Sequence, residues 1–227
     1  LIQDPELQKA MTAFIGQEAM HGREHEDYND ALFAQSPIAP KFEAFVLDIF
    51  GLIKKHTPPY FWLSATIALE HFTALLADSV LTTPELFDGA EDHYANIWRW
   101  HAFEETEHKA VAFDVWNTVM GHGLYAYTIR SVGQIGATIV FWSLIIPVFL
   151  NIVKGEGKLT NLKAWKTAYK YSFGEVGALR KQLGNYFDYF RPSFHPWDHD
   201  NRQSMLAMQD LIYQLVDETQ AAKQLKS

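Results

Sequence analysis

Along most of this chain, apolar residues recur at alternating gaps of three and four positions, which is the spacing of one face of an α-helix. Asp4 followed by Pro5 marks the start of the first helix, because a capping carboxylate and a proline at the first helical position both favour that site. Breaks rich in proline or glycine then separate the predicted helices, at residues 36–40, 58–59 and 121–123. No convincing run with a period of two residues occurs, so the pattern predicts an all-α protein.

The same pattern predicts the later elements. The longest helix is expected over residues 92–120, and Gly121 can adopt the left-handed conformation that commonly ends a helix. Thr160 is expected to cap a further helix that continues toward Phe190. After a loop, residues 205–215 predict a final amphipathic helix.

Ionisable side chains occupy several positions on these apolar stripes that packing normally gives to Leu or Ile. A carboxylate turned into a core is costly unless something pairs with it, and metal ions can satisfy several such groups at once. The residues concerned lie on three of the predicted helices. They are Glu18, His21, His25, Glu70, His101, Glu105 and His108.

Two Glu-x-x-His motifs stand out among these residues, Glu18 with His21 and Glu105 with His108. Side chains three positions apart lie about 5–6 Å apart on one helix face, so both can reach a single ion. Ferritin-like di-iron proteins combine two such motifs with a lone Glu from each of two further helices, and Glu70 matches one of those carboxylates. The sequence therefore predicts a ferritin-like bundle that holds two metal ions through these five side chains, with iron favoured over manganese or zinc.

One carboxylate of that ligand set is not in the chain. Glu70 precedes Glu105 by 35 positions, so its counterpart should precede Glu18 by a similar distance, which falls before Leu1. We therefore expect a further bundle helix upstream of Leu1.

The segments around both motifs resemble the bacterial family of predicted metal-dependent hydrolases. The resemblance rests on residues 17–25, on residues 100–110 and on the sequence His-Pro-Trp-Asp at 195–198, and it covers nearly the whole chain. It implies a metal-dependent enzyme with a further upstream helix that carries another Glu.

The second motif is also similar to that of the para-aminobenzoate N-oxygenases, which are di-iron enzymes with an additional His ligand one turn before their second Glu-x-x-His. His101 matches that position, four residues ahead of Glu105. The resemblance implies that His101 binds a metal ion. The alternative is that it donates a hydrogen bond that orients a liganding carboxylate.

Other polar residues receive supporting roles. His25 is expected to orient the ligands rather than to bind an ion. His195, Asp198 and His199 are candidates for the same role or for a separate metal site, and alternatively they cap a helix or bond to backbone. Glu104 and Glu107 lie beside the stripe and are expected to be solvated or ion-paired. Lys109 is expected to be an ordinary surface residue or to form an ion pair.

Residues 131–153 carry no charge, and Arg130 and Lys154 mark the two ends of this stretch. Its length is sufficient to span a bilayer. Gln134 and Pro147 interrupt its apolar character, so a core helix, a homodimer interface and contact with a membrane surface all remain open beside true spanning.

Composition narrows the possible functions. The chain has no cysteine, which excludes disulfides, thiolate nucleophiles and Cys-ligated metal sites and fits a reducing cytoplasm. The net charge is −8 and no basic patch is evident, so we expect no nucleic-acid partner. The 227 residues suit one domain, in which 1–123 form the metal-binding bundle and 124–227 supply a hydrophobic helix and C-terminal helices that pack on it.

The function favoured by the sequence is that of a di-iron oxidoreductase, because mixed His and carboxylate ligands with open positions allow reduced iron to activate O₂. Its partners would be a small or lipid-like substrate, O₂ and an electron donor. The first alternative is a metal-dependent hydrolase, in which the ions lower the pKa of a bound water. The second is a non-catalytic metal-binding or membrane-associated protein. No catalytic residue is assigned beyond the metal ligands.

Overall fold

The structure, a computed structural model, describes residues 2–33 and 39–224, and no strand occurs among them. The all-α prediction is therefore confirmed. Asp4 caps the first helix as predicted, since its Oδ1 accepts a hydrogen bond from the backbone N–H of Glu6 at 2.9 Å. The α-helices in chain order are α1 Pro5–Phe33, α2 Ala39–His56, α3 Pro59–Thr82, α4 Asp92–His108, α5 Val111–Met120, α6 Leu124–Gly155, α7 Leu162–Ser172, α8 Ala178–Asp188 and α9 Arg202–Gln224.

The helix predicted over residues 92–120 is divided in two, so the prediction of one continuous helix was wrong. A turn at residues 109–110 separates α4 from α5. Near this turn, the hydroxyl of Thr106 donates to the carbonyl of Ala102 at 2.8 Å, and such a bond to the preceding turn tends to bend a helix. The predicted end at Gly121 is confirmed, since this residue has a φ of +71°.

The helix predicted to start at Thr160 also differs. Asn161 is the capping residue, and its Oδ1 accepts the backbone N–H groups two and three positions on, at 3.0 and 3.2 Å. The prediction that this helix continues toward Phe190 was wrong. It ends at Ser172, and Gly177, with a φ of +64°, precedes the separate helix α8.

The chain divides into two compact units. The first comprises Leu1–Leu69 and Val111–Ile152, and the second comprises Glu70–Ala110 and Val153–Ser227. Within the first unit α1 packs against α2 and α5, and within the second α4 packs against α9 and α7 against α8. The division of the chain at residue 123 and the ferritin-like bundle remain predictions from the sequence.

A close approach between α3 and α6 holds part of the first unit. The hydroxyl of Ser64 donates to the carbonyl of Ile129 at 3.0 Å. Gly133 lies one turn further along α6, and a Cβ added to it would collide with the Ser64 hydroxyl. Beside this contact, the buried guanidinium of Arg130 lies 5.2 Å from the ring centroid of Phe113, which is itself buried. Only glycine at 133 allows the two helices to approach this closely.

Candidate metal centre

Four of the predicted ligands lie together in the second unit. Nδ1 of His108, the last residue of α4, lies 3.4 Å from Oε2 of Glu70 on α3. Two turns earlier on α4, Nε2 of His101 lies 3.7 Å from Oε1 of Glu105. A ligand atom of Glu105 lies within 4.8 Å of one of His108, so the two pairs are contiguous. We refer to Glu70, His101, Glu105 and His108 as the carboxylate–histidine cluster.

Helical spacing explains why α4 presents three members of this cluster on one face. His101, Glu105 and His108 follow one another at gaps of four and three residues, so their side chains lie above one another along the helix. The side chains of Glu105 and His108 are 6% and 3% exposed, whereas that of His101 is 21% exposed. The cluster is therefore enclosed at the end of α4 and more open to solvent at His101.

The chemistry of the cluster fits a metal ion. Oε2 of Glu70 is buried and accepts no hydrogen bond from the described residues, and leaving such an acceptor unsatisfied is costly. The distances of 3.4 and 3.7 Å inside the cluster exceed those of strong charge-assisted hydrogen bonds. Imidazole nitrogens combined with carboxylate oxygens are typical ligands of zinc, iron and manganese. A divalent cation would satisfy these lone pairs together.

The first unit carries three more of the predicted residues, on one face of α1. His21 is buried, and its ring stacks on that of His25 with a centroid distance of 4.9 Å. Burial lowers the pKa of His25 below its ordinary value, which favours the neutral imidazole. Glu18 lies one turn before His21 and is partly buried. The liganding roles of Glu18 and His21 and the orienting role of His25 stay predictions from the sequence.

The two acidic neighbours of Glu105 have different environments. Glu107 is exposed, as expected. Glu104 is only 8% exposed, so of its two predicted states, solvated or ion-paired, the solvated one was wrong. The physical reason is that residues 102–106 are all buried, because α4 is covered on more than its stripe face and packs against α9.

The His-Pro-Trp-Asp segment forms a local capping box. Nδ1 of His195 accepts the backbone N–H of Trp197 at 3.2 Å, and Oδ2 of Asp198 accepts the backbone N–H of His195 at 3.2 Å. The next residue, His199, places Nε2 3.0 Å from Oδ2 of Asp188, and this hydrogen bond holds the pKa of Asp188 below its usual value. These contacts order the loop that precedes α9.

Lys109 connects this loop to the cluster, and the expectation that it lies at the surface was wrong. Its side chain is 3% exposed, and its Nζ donates to the carbonyl of His199 at 2.6 Å and to Oδ1 of Asn201 at 2.8 Å. The same ammonium lies 4.3 Å from the ring centroid of Trp197. Burial lowers the pKa of Lys109 to about 8. Because Lys109 directly follows His108, these contacts fix the end of the helix that carries the second Glu-x-x-His motif.

Asp78 of α3 completes the polar network around Lys109. Its Oδ1 accepts Nδ2 of Asn201 at 3.4 Å, and its Oδ2 accepts Nε2 of Gln182 at 2.7 Å. Asp78 also attracts the Lys109 ammonium, which partly offsets the effect of burial on the lysine pKa. Sequence reasoning missed this network, since its members come from α3, α8 and the residue before α9 and share no motif.

Comparison with known proteins agrees with a metal-dependent function. The model of a family described as predicted metal-dependent hydrolase matches residues 1–200 of the chain. No curated protein matches the chain, and no solved structure does.

Proposed function

The chain belongs to the predicted metal-dependent hydrolase family, and we propose that it is a hydrolase whose metal ion is held by the carboxylate–histidine cluster. The observation that supports this most directly is the buried Glu70 Oε2, which accepts no hydrogen bond from the described residues and lies 3.4 Å from Nδ1 of His108. A carboxylate in that position is stabilised by a nearby positive charge, and a bound metal ion would supply one. The resemblance to a hydrolase family then favours water activation over the oxygen chemistry that the sequence alone suggested.

In this proposal the ion is bound by Glu70, Glu105 and His108. When bound, such an ion lowers the pKa of a coordinated water to near 7 and polarises a scissile carbonyl or phosphoryl group. The two carboxylates neutralise the charge of the ion, and the enclosed position of His108 excludes bulk water from that side. His101 orients Glu105 across their 3.7 Å contact.

A second candidate function is O₂ activation at a di-iron centre. The observation that favours it is the position of His101 one turn before Glu105, since both side chains belong to the cluster. This function requires iron as the metal, a second iron ion and an electron donor. The family description favours the hydrolase.

One set of measurements separates these functions. The protein is loaded with Zn²⁺, Mn²⁺ or, under anaerobic conditions, Fe²⁺, and is tested on p-nitrophenyl acetate, p-nitrophenyl phosphate and bis(p-nitrophenyl) phosphate. We expect the loaded protein to hydrolyse at least one of these esters, and we expect the hydrolysis to stop when a chelator removes the metal. We also expect Glu105→Ala to lose both metal and activity, while Glu107→Gln, at an exposed position of the same helix, retains both.

Two results would contradict the hydrolase. The first is an Fe²⁺ protein that consumes O₂ with an optical change while no metal supports ester cleavage, which would establish the oxidoreductase. The second is tight metal binding without either activity, which would establish a non-catalytic role. An unchanged metal content in Glu105→Ala would remove the cluster from all of these functions.

A further inference from the structure

In the described part of the chain, α6 is the one helix long and apolar enough to cross a membrane. No residue is buried in the most apolar part of this helix, so among the described residues it does not pack as a core helix. The buried residues of α6 lie near its start. There, the buried residues Ala126, Arg130 and Gln134 follow at gaps of four and form one face.

From Ile135 to its end, α6 has no buried residue. These residues carry no charge before Lys154. The stretch 135–153 is about 28 Å long at 1.5 Å per residue, close to the ~30 Å hydrocarbon thickness of a bilayer. Its large exposed apolar side chains are Ile135, Ile139, Ile145, Ile146, Phe149, Leu150 and Ile152.

The next helix, α7, differs from α6 in charge. Lys163, Lys166 and Lys170 follow at gaps of three and four and form a row along it. None of the residues of α7 is buried. A second row with the same spacing runs beside the lysines and is made of Leu162, Trp165 and Tyr169.

The helix α7 combines exposed apolar side chains with a positively charged segment, 154–170, and both features suit a negatively charged lipid surface. Leu162 and Tyr169 are 84% and 63% exposed. Trp165 is half-buried, and its Nε1 donates to the carbonyl of Leu159 at 2.8 Å. Residues 154–170 contain five lysines and a single acid, Glu156, in a chain whose net charge is −8. The lysines of this basic segment form no compact motif in the sequence, because they are spread over a connection and a helix.

We propose that 135–170 anchors the protein to an anionic lipid bilayer. In this arrangement residues 135–153 insert among the acyl chains. The lysines of 154–170 bind lipid phosphates, while Trp165 and Tyr169 lie at the level of the headgroups, where Trp and Tyr are enriched. Anionic lipid supplies the negative charge that this segment attracts, whereas a second copy of the chain brings the same positive segment. Charge complementarity therefore favours lipid over a homodimer as the occupant.

Flotation with vesicles tests this proposal on the full chain, without added metal. Vesicles of phosphatidylcholine alone are compared with vesicles that contain one quarter phosphatidylglycerol, at low and high salt. We expect binding to the anionic vesicles that weakens with salt. The double variant Lys163→Glu, Lys166→Glu should bind about thirtyfold more weakly, given the contribution of each basic residue near a charged membrane.

The matched control is Lys9→Glu, Lys181→Glu, which makes the same change in net charge at exposed positions of α1 and α8. It should bind like the wild type. A third variant, Ile139→Asn, Ile146→Asn, changes exposed side chains only. It should therefore fold, which circular dichroism checks. It should float with neither kind of vesicle.

Three results would overturn the proposal. The first is a wild-type protein that does not bind anionic vesicles. The second is a double lysine variant of α7 that binds them as well as its control does. The third is a wild-type protein that binds no vesicles but forms a dimer without lipid, where the variant Ile139→Asn, Ile146→Asn is a monomer. The proposal does not depend on the hydrolase. The variant Glu105→Ala should lose metal and still float, so the two proposals can fail separately.

Discussion

Nδ1 of His108 lies 3.4 Å from Oε2 of Glu70, although the two residues come from different helices. Both side chains are almost enclosed, with exposures of 3% for His108 and 12% for Glu70. A buried carboxylate next to an imidazole is stabilised either by a protonated His or by a cation that both side chains bind. These two explanations predict different behaviour when the charge of Glu70 is removed.

Replacing Glu70 by Gln keeps the shape of the side chain and removes its charge. If Glu70 binds metal, affinity should fall at least ~100-fold, since loss of a direct ligand exceeds loss of a group that orients one. Titration calorimetry with Zn²⁺ or Mn²⁺ measures this change, and Glu107→Gln controls for the loss of one negative charge on α4 at an exposed position. Equal affinities in the two variants would exclude Glu70 as a ligand.

The cluster on α4 could be predicted because its geometry is local. The gaps between His101, Glu105 and His108 fix one helix face whatever the rest of the chain does. The burial of Glu104 could not be predicted in this way, because it depends on α9, a helix about a hundred residues further along. Periodicity within one helix identifies the face that carries Glu105 and His108, and it contains no information on which second face a distant helix will cover.

Lys109 is a second residue whose burial could not be predicted from the sequence. Its partners, His199 and Asn201, are about ninety positions away, and the loop that presents them has no periodicity. In the sequence, a lysine beside an apolar stripe therefore looked like an ordinary surface residue. Only the tertiary contacts show that its ammonium is enclosed.

Lys109→Met should destabilise the protein, because it leaves the carbonyl of His199 and Oδ1 of Asn201 without their donor. The expected loss is about 2 kcal/mol in the free energy of unfolding, as for buried acceptors that lose their partner. Urea unfolding measures this value. Lys55→Met, at an exposed position of α2, should change it by less than about 0.5 kcal/mol. If the two variants are equally stable, the hydrogen bonds of Lys109 contribute nothing net.

The lowered pKa of Asp188 predicts that the folded protein loses part of its stability in acid. The hydrogen bond from His199 lowers the pKa of Asp188 in the folded protein, so the unfolded chain binds more protons at low pH. This contribution to stability is present above the unfolded pKa of about 4 and is lost as the pH falls through the lower folded value.

Asp188→Asn should therefore show a shallower loss of stability below pH ~4 than the wild type, in urea unfolding repeated across pH. Asp210→Asn, at an exposed position of α9, controls for the removal of one negative charge. An acid slope in Asp188→Asn as steep as that of the wild type would mean that the contact with His199 does not persist in solution.

Two glycines of α6 provide a matched test of its packing against α3. At Gly133 an added Cβ would collide with the hydroxyl of Ser64, which would have to turn away from the carbonyl of Ile129. The Cβ would also lie only 3.1 Å from the backbone carbonyl oxygen of Ser64, so the neighbouring backbone must move slightly. At Gly136, on the same helix, nothing lies within 4 Å of such a Cβ.

Gly133→Ala should therefore destabilise the protein by about 1–3 kcal/mol through overpacking. Gly136→Ala should stabilise it by about 0.5–1 kcal/mol, because alanine loses less conformational freedom than glycine in a helix. Thermal unfolding of both variants measures the difference, and two equal melting temperatures would show that α3 and α6 are not in close contact at this point.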